Sequence, residues 1–267
     1  MRTRSLIFTR ELIPNFFSDA MLAAWLKNHF QWVWRFVFVV CALPAVCLLW
    51  LNATGNLGPN SLATLLRVSG RSALVLLTVT LAVTPLRRWL SNLSKLTHRR
   101  YGKRLADWNW LIRLRRQLGL WCFAYALAHT WVYVAFDLGY DWAAGWNELF
   151  EKPYLMAGAL GLLILIPLAF TAPPNMMRYM GRNWGRLHML TYVVAVIGLL
   201  HFWWAIKPGM WTPWPDTLAL TLLLGYRLLL RAGWLPRWDG FDGKESAERP
   251  PYGSVVKADG LDDRKTS

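Results

Sequence analysis

Three histidines stand inside long apolar runs of this sequence: His129, His188 and His201. A titratable side chain in a membrane span is costly unless something uses it, so such a residue marks a functional position. Neutral imidazole offers a nitrogen lone pair to a metal. Two imidazoles opposed across an iron porphyrin give six-coordinate haem, whose filled shell favours electron transfer over oxygen activation. His188 and His201 lie in Arg186-Leu-His-Met-Leu-Thr-Tyr-Val-Val-Ala-Val-Ile-Gly-Leu-Leu-His201. On one helix they would be roughly 20 Å apart along the axis, most of the way across a hydrocarbon core of about 30 Å. One faces each leaflet.

The elements that must carry these residues follow from composition. The chain has 267 residues, 55% of them hydrophobic, with 18 Trp, and a mean hydropathy of +0.25. The apolar residues come in blocks long enough to span a bilayer, which predicts a polytopic membrane protein. A net charge of +15 would point to nucleic acid in a soluble protein, but here the basic residues lie between and beside apolar runs. Topology accounts for them, and no nucleic-acid partner is expected. Cys41, Cys47 and Cys122 sit in apolar runs without C-x-x-C or C-x-x-C-H spacing. That excludes a disulfide framework, a zinc site and covalent haem attachment, leaving buried small hydrophobes. The first apolar run starts about thirty residues in, so no cleaved signal peptide is expected.

Taken in order, residues 1–32 form an interfacial, cytoplasmic extension in which Phe17, Met21, Leu22, Trp25 and His29 share a helical face. Spans follow at about 33–51, 61–86, 117–136, 154–170, 188–205 and 216–230, the fourth breaking after Pro167. The stretch from Arg87 to Arg116 holds ten Lys or Arg against Asp107 alone, and the positive-inside rule places it in the cytoplasm. His98 falls there, as a solvated loop residue. Arg178, Arg182 and Arg186 mark a second cytoplasmic loop, while 137–151, acidic and aromatic, reads as an outer loop. From Trp234 the tail is rich in Gly, Pro and charge and reads as disordered. The expectation is an all-α, six-transmembrane-helix bundle over 33–231 with both termini cytoplasmic, followed by a tail over 232–267.

This topology tests the haem idea. His129 lies about 20 Å beyond the cytoplasmic Arg116 and His201 a similar distance beyond Arg186. Two helices thus bring a histidine to the same depth. Gly198, one turn from His201, offers backbone to a porphyrin edge. Arg71, after Ser69-Gly70, is the expected partner of a haem propionate, with snorkelling to the headgroups as the alternative. His188 has no histidine at its own level, because the position fourteen before His129 is Arg115. Thirteen residues also leave His188 and His201 about 140° apart around an ideal helix. Both can bind haem only if the helix is distorted or the haems differ in azimuth. The other readings are interhelical hydrogen bonding and a transporter whose histidines relay protons, though the spans offer few acidic partners and no internal repeat.

Ser69-Gly70-Arg71-Ser-Ala-Leu, Arg115-Arg116-Gln-Leu-Gly-Leu-Trp-Cys-Phe-Ala-Tyr-Ala-Leu-Ala-His129, Lys152-Pro-Tyr-Leu, Leu168-Ala-Phe-Thr and Trp184-Gly-Arg-Leu-His188 through His201 carry a resemblance. Over roughly residues 33–231 the chain resembles the MsrQ family, haem-binding membrane subunits of MsrPQ methionine sulfoxide reductase systems within the ferric-reductase-like transmembrane family. The resemblance implies a b-type cytochrome of the bacterial inner membrane that also binds FMN. It would carry electrons from the quinone pool or a cytoplasmic flavin reductase to MsrP, a periplasmic molybdopterin enzyme that repairs oxidised methionines. The family's haem ligands fall on His129, His188 and His201. Arg115 stands where the more distant NADPH oxidases and ferric reductases have one of their paired histidines, so one haem is expected and a second is open. No Gly-rich nucleotide motif follows the sixth span, so the donor is expected to be a quinol or another protein. A ferric or cupric reductase is the alternative within redox chemistry.

Overall fold

The computed structural model describes residues 29–96, 108–206 and 212–234. The interfacial extension as far as residue 28, His98 and most of the tail lie outside them. Among the described residues the structure is helical, without strands. The helices are α1 (Phe30–Ala53), α2 (Ser61–Leu96), α3 (Asn109–Val132), α4 (Trp142–Glu151), α5 (Pro153–Phe170), α6 (Pro174–Met180), α7 (Arg182–His188), α8 (Leu190–Trp204) and α9 (Trp214–Arg231).

Among the described residues, five helical segments are long and apolar enough to cross a membrane: Phe30–Ala53, Ser61–Leu96, Asn109–Asp137, Pro153–Phe170 and Arg182–Trp204. These correspond to the first five expected spans. The expected sixth lies on α9, which has 18 residues but carries Asp216, Arg227 and Arg231 and does not join the five. The second helix runs ten residues past its expected end and the third starts eight residues early. The cause is that basic residues end the hydrocarbon segment without ending the helix, since Lys and Arg are good helix formers. Nor does α5, the expected fourth span, stop at Pro167: it continues to Phe170, because a proline removes only its own N–H bond, to the Leu163 carbonyl, and a helix can continue past it.

Local chemistry sets the ends. The Asn60 carboxamide accepts from the Ala63 N–H at 3.0 Å, opening α2, and Asp141 accepts from the Ala143 and Ala144 N–H groups, opening α4. Pro153 starts α5, where its missing N–H costs nothing. Gly181, at φ 52°, ends α6 and lets the chain turn into α7.

α2 packs most extensively on α3, and α5 on α8, with α3 also against α5 and α2 against α8. The core between them holds Leu74, Leu77, Leu81, Cys122, Val194, Ala195 and Leu220. α1 packs against α2 and α3 around Cys41, Val83, Leu111, Leu114 and Leu118. There the Tyr125 hydroxyl accepts from the Ala45 N–H at 3.0 Å and donates to the Cys41 carbonyl at 2.7 Å. It has inserted into one rung of the α1 ladder beside Pro44, where the helix is already interrupted. Large apolar side chains remain exposed along α1, among them Trp32, Phe36, Leu43 and Leu49, as a helix facing lipid requires. Cys47 is exposed too, which corrects the expectation that all three cysteines are buried.

The chain divides into two compact units, Met1–Arg227 and Leu228–Ser267. The first holds every contact above. The described part of the second is the last turn of α9 and the segment closing at Gly233, φ 76°.

Candidate functional site

The site begins with two imidazoles. His129, on α3, and His201, on α8, have ring centroids 6.0 Å apart and planes at 90°. The matched depth expected from chain counting is realised as a direct pair. Each ring is held by a carbonyl of a third helix. His129 Nδ1 lies 2.9 Å from the Leu66 carbonyl oxygen on α2, and His201 Nδ1 lies 2.6 Å from the Tyr154 carbonyl oxygen on α5.

A carbonyl oxygen only accepts, so each Nδ1 must carry the proton and donate it. The tautomer follows: Nε2 of both rings is left as a lone pair. Among the described residues neither Nε2 has a hydrogen-bond partner. Ser69 reinforces one side, its hydroxyl 3.3 Å from His129 Nδ1 while donating to the Leu65 carbonyl at 2.6 Å. This is the arrangement metal-bound histidines adopt, with the remote N–H anchored so that the ligand nitrogen points where it is needed.

The pair suits a single metal between two rings. With metal–nitrogen bonds of roughly 2 Å, imidazole centres on opposite sides of one ion stand about 6 Å apart, close to the observed 6.0 Å. Both rings lie against glycine. A Cβ at Gly70 would come within 3.0 Å of His129, and one at Gly158 within 3.0 Å of His201. The residues present therefore fit a bis-imidazole cofactor such as haem.

His188 stands apart. It closes α7 and stacks on Trp184, with centroids 4.0 Å apart at 25°, and its Nδ1 meets the Trp184 carbonyl of its own helix at 3.2 Å. Arg115 lies in electrostatic range of His188, Tyr192 and Arg87. Met189, between α7 and α8, keeps helical dihedrals, φ −66° and ψ −23°, and its N–H is shared by the Gly185 and Arg186 carbonyls, so His188 and His201 follow one another along a nearly continuous helix. Arg71, next to Gly70, pairs with Asp216, NH2 to Oδ2 3.8 Å. The five expected site residues thus separate into the His129–His201 pair, the His188–Arg115 group and the Arg71–Asp216 pair.

Sequence reasoning missed Gly158, the two carbonyls and Asp216. Gly158 follows Tyr154 by four residues, a spacing a reader could have flagged; the carbonyls carry no signal, since every residue has one. Gly198, expected to face a porphyrin edge, instead directs its Cβ position toward Leu74 Cδ1 at 3.7 Å. A further feature is the π-helical turn Tyr133–Asp137, which begins four residues after His129 where α3 ends, of a kind frequent at functional sites. It brings the Tyr133 hydroxyl to Glu148 on α4, 2.9 Å, while Lys152 holds the same carboxylate at 2.8 Å.

The family described as ferric reductase like transmembrane component matches residues 69–199, a stretch that holds Gly70, His129 and Gly158 and stops two residues before His201. A protein-methionine-sulfoxide reductase heme-binding subunit MsrQ of Xanthomonas axonopodis pv. citri is 37% identical over 179 residues, 67% of this chain and 75% of its own length. A protein of that name from Xanthomonas campestris pv. campestris is 39% identical over 175 residues, 66% of this chain and 73% of its own. The one from Xanthomonas oryzae pv. oryzae is 36% identical over 178 residues, 67% and 74%. No solved structure matches the chain. With that identity over two thirds of its length, and a pair of opposed histidines between apolar helices, the chain belongs to the MsrQ family of heme-binding membrane subunits.

Proposed function

We propose that this protein is the membrane electron-transfer subunit of a methionine sulfoxide reductase system, holding one b-type haem between His129 and His201. The observation that carries the reading is the pair itself: two imidazoles 6.0 Å apart, both with Nδ1 engaged by a carbonyl and Nε2 left unbonded among the described residues. The relatives' printed name, heme-binding subunit, supports it. Bound there, haem supplies one-electron transfer. The chain's own residues hold and orient it. The Leu66 and Tyr154 carbonyls fix both ligand tautomers. Arg71, with two fifths of its side chain exposed and Asp216 beside it, is the proposed propionate partner. His188 and Arg115 form a separate, second cofactor-holding position, with His188 a further ligand for a cofactor other than that one haem.

The proposed location is the bacterial inner membrane. The basic segments 87–116 and 178–186 face the cytoplasm with both termini, and α9 is the sixth span. Its Leu220 belongs to the same core as Leu81 and Ala195. Arg227 donates to the Leu81 carbonyl at 2.7 Å and to the Tyr192 hydroxyl, so its charge is engaged within the bundle. Electrons come from the quinone pool or a cytoplasmic flavin reductase and go to periplasmic MsrP. FMN, implied by the resemblance, is part of this proposal with no residue assigned to it.

The family description also favours a second reading, a reductase of ferric ions, with cupric ions as the alternative acceptor. Anaerobic mixing of the dithionite-reduced, desalted protein with MsrP or with a ferric or cupric chelate separates the two. Oxidation of the haem by MsrP at a rate that saturates with MsrP concentration is expected. Oxidation by the chelates alone contradicts the proposed partner, and a colourless protein contradicts the haem itself and leaves a transporter.

A further inference from the structure

His129 and His201 sit in matching seats on two unrelated helices. On α2, the Leu66 carbonyl takes the Nδ1–H of His129 and Gly70, four residues on, lies against the ring. On α5, the Tyr154 carbonyl takes the Nδ1–H of His201 and Gly158, again four residues on, lies against that ring. Positions i and i+4 stack one turn apart on one helix face, so carbonyl and glycine form a single surface.

The fit is tight and local. A Cβ at Gly70 would stand 3.0 Å from both Cε1 and Nδ1 of His129, and a Cβ at Gly158 3.0 Å from the same two atoms of His201. Real Cβ atoms rarely come so close, and neither imidazole can retreat without stretching its hydrogen bond. Neighbouring glycines are unlike these two. A Cβ at Gly161, one turn further along α5, would meet only Ile197 Cγ2 at an ordinary 3.6 Å.

We propose that Gly70 with the Leu66 carbonyl, and Gly158 with the Tyr154 carbonyl, are positioning seats that fix the rotation of each ligand ring and so hold the two ligand planes crossed. The observed angle between the planes is 90°. This rests on the reading of His129 and His201 as ligands to one haem. Gly70 and Gly158 touch the imidazoles, not the iron. Crossed axial planes leave the two iron d orbitals that interact with the imidazole π systems nearly equal in energy. Low-spin ferric iron in that state gives one strongly anisotropic resonance; parallel planes separate the orbitals and give three resolved lines.

The test is low-temperature electron paramagnetic resonance of the oxidised, detergent-purified full chain, with haem quantified per chain, for the wild type and for Gly70→Ala, Gly158→Ala and Gly161→Ala. The wild type should show the single anisotropic feature. Gly70→Ala and Gly158→Ala should keep low-spin haem while the resonance moves toward the three-line form, and Gly161→Ala should superimpose on the wild type. A three-line wild-type spectrum overturns the proposal even where the glycine variants fail to fold. So do Gly70→Ala and Gly158→Ala proteins that bind haem with unchanged resonances. Loss of the ligand reading itself has a different signature: His129→Ala and His201→Ala would then both retain the wild-type low-spin signal.

Discussion

Two regions of this protein hold histidine in the membrane, and they hold it differently. In the His129–His201 pair each ring is anchored by the backbone of another helix, α2 for one and α5 for the other, and its second nitrogen is left to bind. In the His188–Arg115 group the ring leans on Trp184 and bonds to a carbonyl of its own helix; it also meets the Leu168 carbonyl of α5, but its facing side chain is a cation, Arg115, where the first pair has a second imidazole. A ligand position needs more than a histidine at the right depth; it needs outside support that commits the tautomer and the plane. The first region has that support twice over and the second lacks a matching imidazole.

The contrast can be broken most sharply by bulk. Gly158→Leu should drive His201 from its place and lower haem affinity by at least the roughly 10- to 100-fold that lost ligand support costs. Gly185→Leu, three residues before His188 where a Cβ meets nothing within 4 Å, should leave haem content unchanged. Haem per chain, measured side by side, checks both, and equal losses would erase the distinction drawn here. Next in size is the core that ties the helices of the pair together. Leu81 is 1% exposed, and Leu81→Ala should cost about 2–3 kcal/mol, the low end for large-to-small changes because lipid contributes no hydrophobic drive between helices. Leu43→Ala, on the lipid-facing side of α1 and 54% exposed, should cost a small fraction of that in the same thermal unfolding assay. Smaller again is Ser69→Ala, which removes the secondary contact to His129 Nδ1 but leaves the Leu66 carbonyl. Haem affinity should fall by less than about 10-fold, and Trp184→Leu, acting on the other group, should not change it at all.

The smallest effect concerns α4. Hydrogen bonds from Lys152 and then Tyr133 hold the Glu148 carboxyl below the usual carboxylate range. A depressed carboxyl stabilises the fold above its ordinary value, and the contribution disappears as pH falls through the folded value. The Tyr133–Glu148–Lys152 link should therefore loosen as pH falls below the ordinary carboxylate value of about 4.3. Proteolytic nicking of the Asp137–Glu151 segment, compared between wild type and Glu148→Gln, checks it: the wild type should become more susceptible below that value, and the variant should show no such step.

Much of this architecture was written in hydropathy and charge. Apolar blocks marked the helices that cross, and counting from Arg116 and Arg186 to His129 and His201 was enough to pair two histidines across the chain, because helical rise converts residue number directly into depth. Azimuth and neighbours are not encoded that way. Ser69-Gly70 drew attention as the flank of Arg71, yet Gly70 matters as the surface under His129, a role visible only once α2 and α3 are packed. The Tyr154 carbonyl and Asp216 depend on the same tertiary placement. Helix ends differ from span ends where Lys and Arg continue a helix beyond the hydrocarbon, and on the last helix the sequence shows Asp216, Arg227 and Arg231 but not the partners with which packing accommodates them.

The central claim is that His129 and His201, and not His188, are jointly indispensable to one haem. The most direct measurement is the dithionite-reduced minus oxidised visible spectrum, with haem per chain, of the purified wild type beside His129→Ala, His201→Ala and His188→Ala. The account predicts a low-spin b-type spectrum near one haem per chain that the first two substitutions remove and the third preserves. Retention of that spectrum in either of the first two, or its loss in His188→Ala alone, would contradict it.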